Sequence, residues 1–241
     1  MAKLRPAWYS LEGSSTLHDV INLTHFPYTV WHLSYVLIGI SLSPVIHTDR
    51  STAVLIAYFL GLGIGAHALD ETMGNPLQTK LSKSRLYLIG FSSLAAAASI
   101  GVYYAFTVSL LILPFVAVEA FFALTYNLET FVKRFHNMLV FTLSWGAIPF
   151  ITGYFVNSLS LTPATLIVSA SIAFLTYVQR TLSIQARSVR RNIPESVRSL
   201  QLSVDEVQIS DRDLLSPAEK SLKALTAMIV FLAIGLFLQR L

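Results

Sequence analysis

One stretch sets three ionisable side chains against the end of an apolar run: Gly65-Ala66-His67-Ala68-Leu69-Asp70-Glu71-Thr72-Met73-Gly74-Asn75-Pro76-Leu77. The run before it, from Thr52 to Leu69, is apolar enough for a membrane helix. Ionisable groups at such a helix end are costly to desolvate unless they meet a partner, a ligand or water, so a site is expected here. His67 precedes Asp70 by three residues and Glu71 by four, and a helix puts all three on one face. Asp70 and Glu71 could hold a cation or act as a base, or be a helix-end pair solvated among headgroups. His67, one turn inside, could be a ligand, a proton relay or a hydrogen-bonding strut. Gly74-Asn75-Pro76 stops the helix and begins a short polar loop.

Other groups with chemical potential lie further along. Glu119 interrupts the apolar segment Leu113 to Phe122, about 10 Å by helical rise from the helix end near Tyr126. A carboxylate there is expensive unless it is protonated, paired or in a wet cavity, so Glu119 should face the bundle interior. His136 and Asn137 open the next helix and either reach toward Asp70 or cap that helix. Arg180, Arg187, Arg190, Arg191 and Arg198 form a basic run after an apolar segment. Arginine suits phosphate oxygens, but such a run also lies well on anionic headgroups, the reading preferred for Arg190, Arg191 and Arg198.

These groups must be positioned by membrane helices. Of the 241 residues 54% are hydrophobic, and the mean hydropathy is +0.62, a composition that points to a polytopic membrane protein. A formal charge of +4 would suit nucleic acid in a soluble chain, but here it is the Lys/Arg loop bias of membrane topology, and no nucleic acid is expected. With no cysteine there is no thiolate nucleophile or sulfur metal site. The first twenty residues have no apolar core and read as no cleavable signal. Walker, dinucleotide, His-Glu-x-x-His and Gly-x-Ser-x-Gly motifs are absent, as is a clear internal repeat.

The expected fold is all-α: a single membrane domain over 1–241, a polytopic bundle of about seven transmembrane helices. The spans are Phe26 to Ile46, Thr52 to Leu69, Leu86 to Phe106, Thr107 to Tyr126, Met138 to Val156, Pro163 to Val178 and Leu222 to Leu238. Residues 1–24 read as a cytoplasmic lead-in with a short amphipathic segment around Trp8 to Val20, and 179–221 as a cytoplasmic basic amphipathic segment. The small residues Ser92 to Ser99 suit close helix contact. With this layout all but Arg50 and Arg240 of the 17 Lys and Arg fall on one side. That places the amino terminus in the cytoplasm, the carboxy terminus outside, and the protein in the cell membrane as a multi-pass chain.

The inner loops resemble those of the UbiA superfamily of intramembrane prenyltransferases. Ala66-His67-Ala68-Leu69-Asp70-Glu71-Thr72-Met73-Gly74 lies over the family's first aspartate-rich motif, and Asn75-Pro76-Leu77-Gln78-Thr79-Lys80-Leu81-Ser82 over the loop after it, with about one turn deleted between them. Tyr126-Asn127-Leu128-Glu129, Ser144-Trp145-Gly146-Ala147-Ile148-Pro149 and Gly153-Tyr154 look like the fourth and fifth helices, and His25-Phe26-Pro27 to Gly39 like the first; the likeness covers roughly residues 20–180. It implies transfer of an isoprenoid chain from its diphosphate to a lipophilic acceptor at the cytoplasmic face, with Mg2+ held by Asp70 and Glu71. Catalytic roles fall on Asp70, Glu71 and Glu119, and substrate contacts on His67, Tyr126, Asn127, His136, Asn137, Gln179, Arg180 and Arg187, the two arginines holding the diphosphate.

The departures from the family pattern are specific. Of the first motif's acidic ligands only Asp70 remains, and the region over the second, Tyr177 to Arg187, has no carboxylate before Glu195. Magnesium takes several oxygen ligands in octahedral geometry, and one Asp with its neighbouring Glu is a thin supply. The usual nine helices are reduced to seven. The alternative is a non-catalytic UbiA-like protein that binds a lipid or quinone-like molecule among membrane lipids, or serves as a subunit of a membrane complex.

Overall fold

The computed structural model describes residues 7–11, 15–73, 77, 79–128, 135–192, 202–204, 207–209 and 211–241. After a short helix α1 (Thr16–Leu23), begun by Ser15 accepting from the His18 amide, comes α2 (Phe26–Leu42). Then follow α3 (Thr48–Thr72), α4 (Lys83–Thr107), α5 (Leu110–Asn127), α6 (Met138–Ser158), α7 (Pro163–Asn192) and α8 (Asp211–Leu238). The six from α3 to α8 are long and apolar enough to cross a membrane. At 17 residues α2 is at the short end for a span and occupies the centre of the bundle. Among the described residues the only strands are a small antiparallel hairpin, β1 (Leu202–Val204) with β2 (Val207–Ile209), between α7 and α8.

Two glycines hold α2 to α6. A Cβ on Gly39 would run into the Phe150 carbonyl oxygen, and one on Gly153 into that of Val36, so the backbones touch. Around this crossing Trp31, Tyr35, Ile38, Phe150, Ile172, Ile229 and Ala233 make the main core, drawn from α2, α6, α7 and α8. Buried hydroxyl contacts tie α2 to α7: Tyr28 to Ser183 at 3.5 Å, and Tyr35 to Thr176 at 3.2 Å. The Trp31 indole N–H donates to the Tyr35 hydroxyl within α2.

The α4–α5 pair flanks this core and turns Leu88, Tyr103, Phe106 and Phe121 outward, as helices in lipid do. Only one side of α4 is packed, through Gly61 against Ala97, Gly65 against Leu94 and Gly90 against Leu69. Ala97 in the small-residue run is thus a helix contact, and together with Ala95 and Ala98 it lines a cavity described below.

Three spans differ clearly in extent from expectation, the last because its helix already begins at Asp211 and not near Leu222. The first ends at Leu42, because Ser43 precedes Pro44 and takes the extended backbone that a following proline favours. The sixth does not end near Val178 but runs unbroken to Asn192. Nothing between Pro163 and Pro194 breaks a helix, and charged side chains alone do not stop one. The 179–221 segment is therefore largely the continuation of α7 and the first turns of α8. Gly74 to Pro76, Glu129, Glu195, Arg198 and the first six residues lie outside the described residues, as do the side chains of Arg191 and Arg212.

Charge separates along the bundle axis. Arg50 and Arg240 share one end, where Arg240 donates to the Ser43 and Pro44 carbonyls, both at 3.1 Å, and Arg50 reaches the Val156 carbonyl at 3.4 Å. Arg180, Arg187 and Arg190 lie on the other half of α7, with His67 and Asp70 at the same end of the bundle.

Candidate functional site

At the arginine-rich end, rings from four elements converge. The π-helical turns Phe59–Ala66 in α3 and Leu143–Ala147 in α6 widen their helices beside this cluster, a distortion that recurs at functional sites. His67 follows the first, and its Nδ1–H donates to the Gly63 carbonyl at 3.2 Å, which fixes the tautomer. The His67 ring stacks on His25 at 4.4 Å and lies 5.4 Å from Trp145. Trp145 stacks on Phe141 at 5.5 Å, and His32 closes the inner side 5.1 Å from Trp145.

The lead-in packs over the cluster. Tyr9 shares a 3.1 Å hydrogen bond with His25 Nδ1 and meets Tyr28 edge-on at 5.4 Å. Burial raises the Tyr9 phenol above its ordinary range, while the charges of Arg190, Arg187 and Asp70 also reach it. His25 is pushed well below the usual imidazole value, first by burial and then by His67 and Arg187, so it is neutral. It begins α2 at φ 44°, in the left-handed region.

Arg180 stands across the cluster. Its guanidinium donates to the Tyr126 hydroxyl at 3.0 Å and lies 4.5 Å from the centre of the Phe141 ring. Tyr126 stacks on His136 at 4.5 Å, and His136 Nδ1–H donates to the Tyr126 carbonyl at 3.1 Å. Tyr126 and Arg180 are thus in direct contact. Asn127 is buried and donates to the Ala123 carbonyl at 2.8 Å. Asn137 is the cap that its position suggested, accepting from the Val140 amide at 3.0 Å. Gln179 is buried with an unpaired Oε1, and the α2–α7 contacts pair residues whose register sets it opposite His32, whose Nδ1 is also unpaired.

Glu71 does something the sequence did not suggest. Its side chain is 2% exposed, and its oxygens accept from the Leu77 amide at 2.9 Å and from both the amide and hydroxyl of Thr79 at 3.0 Å. The carboxylate braces the loop after α3. Asp70 is half-buried, and its carboxylate makes no hydrogen bond or ion pair among the described residues. Also among these, no group of three or more His, Asp or Glu side chains could hold a metal ion. One uncommitted carboxylate does not fit magnesium, which takes several oxygen ligands in octahedral geometry. Arg190 is not free for headgroups: it pairs with Glu219 of α8 at 2.8 Å, the side chains 11% and 19% exposed.

Behind the ring cluster lies an elongated cavity of about 390 Å³ between α3, α4, α5 and α6. Alanines and glycines make room for it, among them Ala57, Gly61, Ala98, Gly101, Ala120 and Ala123. Its near end is bounded by Ala66, Asn127 and Trp145, so the Trp145 ring belongs both to the cavity wall and to the His67 cluster. Glu119 lines the cavity and accepts from the Tyr58 hydroxyl at 2.5 Å. Glu119 therefore sits apart from the cluster that holds His67, Tyr126 and Arg180.

Sequence reasoning missed Tyr9, His32, Tyr58 and Thr152 as parts of these sites. Tyr9 and His32 could have been flagged as polar rings beside the His67 motif, but nothing in an apolar run marks Tyr58 as the partner of Glu119. No protein-family model, curated protein or solved structure matches the chain.

Proposed function

We propose that the chain is a UbiA-like integral membrane protein that binds one single-chain amphiphile, isoprenoid or quinone-like, without metal-dependent transfer. The tail lies in the apolar cavity and the polar head meets Arg180, Tyr126 and the histidines. One observation carries this reading: the Trp145 ring lines the apolar cavity and also belongs to the aromatic cluster, and Asn127 of the cavity wall is followed back along the chain by Tyr126, the partner of Arg180. That juxtaposition suits a molecule with an apolar body and a polar, preferably anionic, end. Arg180 supplies charge and a planar donor array, while its Phe141 contact keeps it partly desolvated, which strengthens its pull on an anion. The head faces the cytoplasm, because Lys and Arg concentrate at this end.

Binding is preferred to transfer because Glu71 is committed to bracing the loop through three hydrogen bonds, which leaves Asp70 as a thin supply of oxygen ligands for an ion. Asp70 favours the second reading, an isoprenoid transferase of unusual metal use, since its carboxylate is uncommitted and its charge reaches Arg180.

Titration of the purified protein in nanodiscs with geranylgeranyl diphosphate, with and without magnesium, tests both. Expected is saturable binding that is indifferent to magnesium, weakened about tenfold in Arg180→Gln and lost in Ala120→Phe, which fills the cavity. Absence of binding sinks the proposal. Magnesium-dependent turnover that disappears in Asp70→Ala replaces it with the transferase.

A further inference from the structure

Helix α1 carries its amphipathic pattern inside out. In water the apolar stripe of such a helix turns to the protein and the polar side chains turn away. Here Leu17, Val20 and Ile21, three and four residues apart on one face, are 66%, 44% and 40% exposed. The polar side chains are the ones committed within the protein. Asp19 accepts from the Lys80 amide at 2.9 Å, while Asn22 accepts from the Leu11 amide at 2.8 Å and donates to the Leu11 carbonyl at 3.1 Å. Of the helix's apolar residues only Leu23 is buried, against Ala68 and Leu86.

Those attachments set the helix at a definite height. Leu86 lies at the start of α4, and the next two residues, Tyr87 and Leu88, begin the side of α4 that faces lipid. Phe26, the first residue of α2, is exposed as well. The opening turn of α4 carries Lys83 and Arg85, both exposed and without a side-chain partner among the described residues. Positive charge in the first turn of a helix opposes its dipole, so nothing in α4 itself favours these cations there. Helix α1 offers them no acid, its one carboxylate being tied to the Lys80 amide.

We infer that α1 lies in the plane of the leaflet at the arginine-rich end of the bundle, its Leu17, Val20 and Ile21 face sunk at the headgroup boundary and Lys83 and Arg85 set against anionic headgroups. An anionic bilayer surface supplies both partners at once, hydrocarbon for the stripe and negative charge for the cations. A zwitterionic surface would accept the stripe but leave the cations without a counter-charge, and water would leave the stripe exposed. This docking goes beyond ligand binding in the cavity and does not depend on it. Through the Asp19 bond to Lys80, the docked helix also steadies the loop that Glu71 holds at Leu77 and Thr79.

The chain has no cysteine, so single labels report cleanly. Full-length Ile21→Cys and Leu17→Cys each carry a nitroxide in nanodiscs of phosphatidylcholine and phosphatidylglycerol; the second site keeps the test open should the first variant fold poorly. Leu88→Cys is the lipid-facing control and Ser160→Cys, in the exposed turn between α6 and α7, the aqueous one. Oxygen concentrates in hydrocarbon and a nickel chelate stays in water. Expected is an oxygen-to-nickel accessibility at 21 and 17 that groups with position 88 and not with 160. A fluorophore at 17 should then report headgroup-labelled phosphatidylglycerol enriched about fivefold over labelled phosphatidylcholine. That preference should vanish in the Lys83→Gln, Arg85→Gln double variant and in about 1 M salt. Labels at 21 and 17 open to the nickel chelate overturn the inference, as does equal enrichment of the two lipids. Labels shielded from both reagents, in particles that light scattering finds to hold two chains, overturn it in favour of a second copy of this chain.

Discussion

The Nδ1–H of His67 donates to the carbonyl of Gly63, 3.2 Å away and one turn back inside a π-helical stretch. The bond orients the imidazole flat against His25 and leaves Nε2 as the acceptor nitrogen. His67→Phe keeps a ring for stacking and removes the bond, so it should cost about 1 kcal/mol of stability. His67→Ala also empties the space between His25 and Trp145 and should cost about 2–4 kcal/mol. Thermal melts of the two variants in one detergent check the order; a larger loss in the phenylalanine variant would contradict it.

Gly39 and Gly153 permit the backbone contact between α2 and α6. An added methyl group at either meets a carbonyl oxygen of the opposing main chain, which cannot rotate away as a side chain could. Gly39→Ala and Gly153→Ala should each destabilise by about 3 kcal/mol or more, at the upper end for overpacking. Gly235→Ala, where nothing stands within 4 Å of the added carbon, should be neutral or slightly stabilising. Monodisperse yield and melting temperature separate the three.

Glu71 should behave as a loop brace. Glu71→Gln keeps one acceptor oxygen but loses the charge and at least one of the three bonds, a cost of about 1.5–3 kcal/mol. Protease nicking between Thr72 and Lys83 should increase. Ligand affinity should change less than in Arg180→Gln, because Glu71 faces the loop.

Acid should weaken the fold through His25. Its imidazole is neutral in the folded protein and takes up a proton near the ordinary value of about 6.5 once unfolded. The unfolded chain thus binds more protons, and stability rises with pH in this window. The melting temperature should be level above about pH 7 and fall as the pH drops through about 6 and below. The groups facing His25 are Tyr9, His67 and Arg187, and none supplies a negative charge to hold the imidazolium. His25→Asn tolerates the left-handed backbone at this position and should flatten the acid limb.

Apolar runs made the membrane helices legible, since each is long enough to require burial in lipid or protein. Helix ends were harder. The continuation of α7 past Val178 carries the arginines that suggested a separate surface segment, yet it contains no residue that breaks a helix. Asn137 could be read as a cap because its amide answers the next turn, a local rule. Glu71 could not be read as a brace, because its partners are backbone N–H groups whose direction depends on the loop path. Glu119 was legible as a group needing company, but its partner Tyr58 lies 61 residues away in sequence and looks like any other tyrosine in an apolar run.

The glycine crossing divides the bundle mechanically. Helices α2 and α6 are locked main chain to main chain, and hydroxyl contacts carry the restraint to α7. The α4–α5 hairpin is held along one side only and otherwise borders on solvent hydrocarbon. Thermal breathing of the protein should therefore concentrate in that hairpin, and amide exchange there should outpace exchange in α2 and α6 even though all are equally helical.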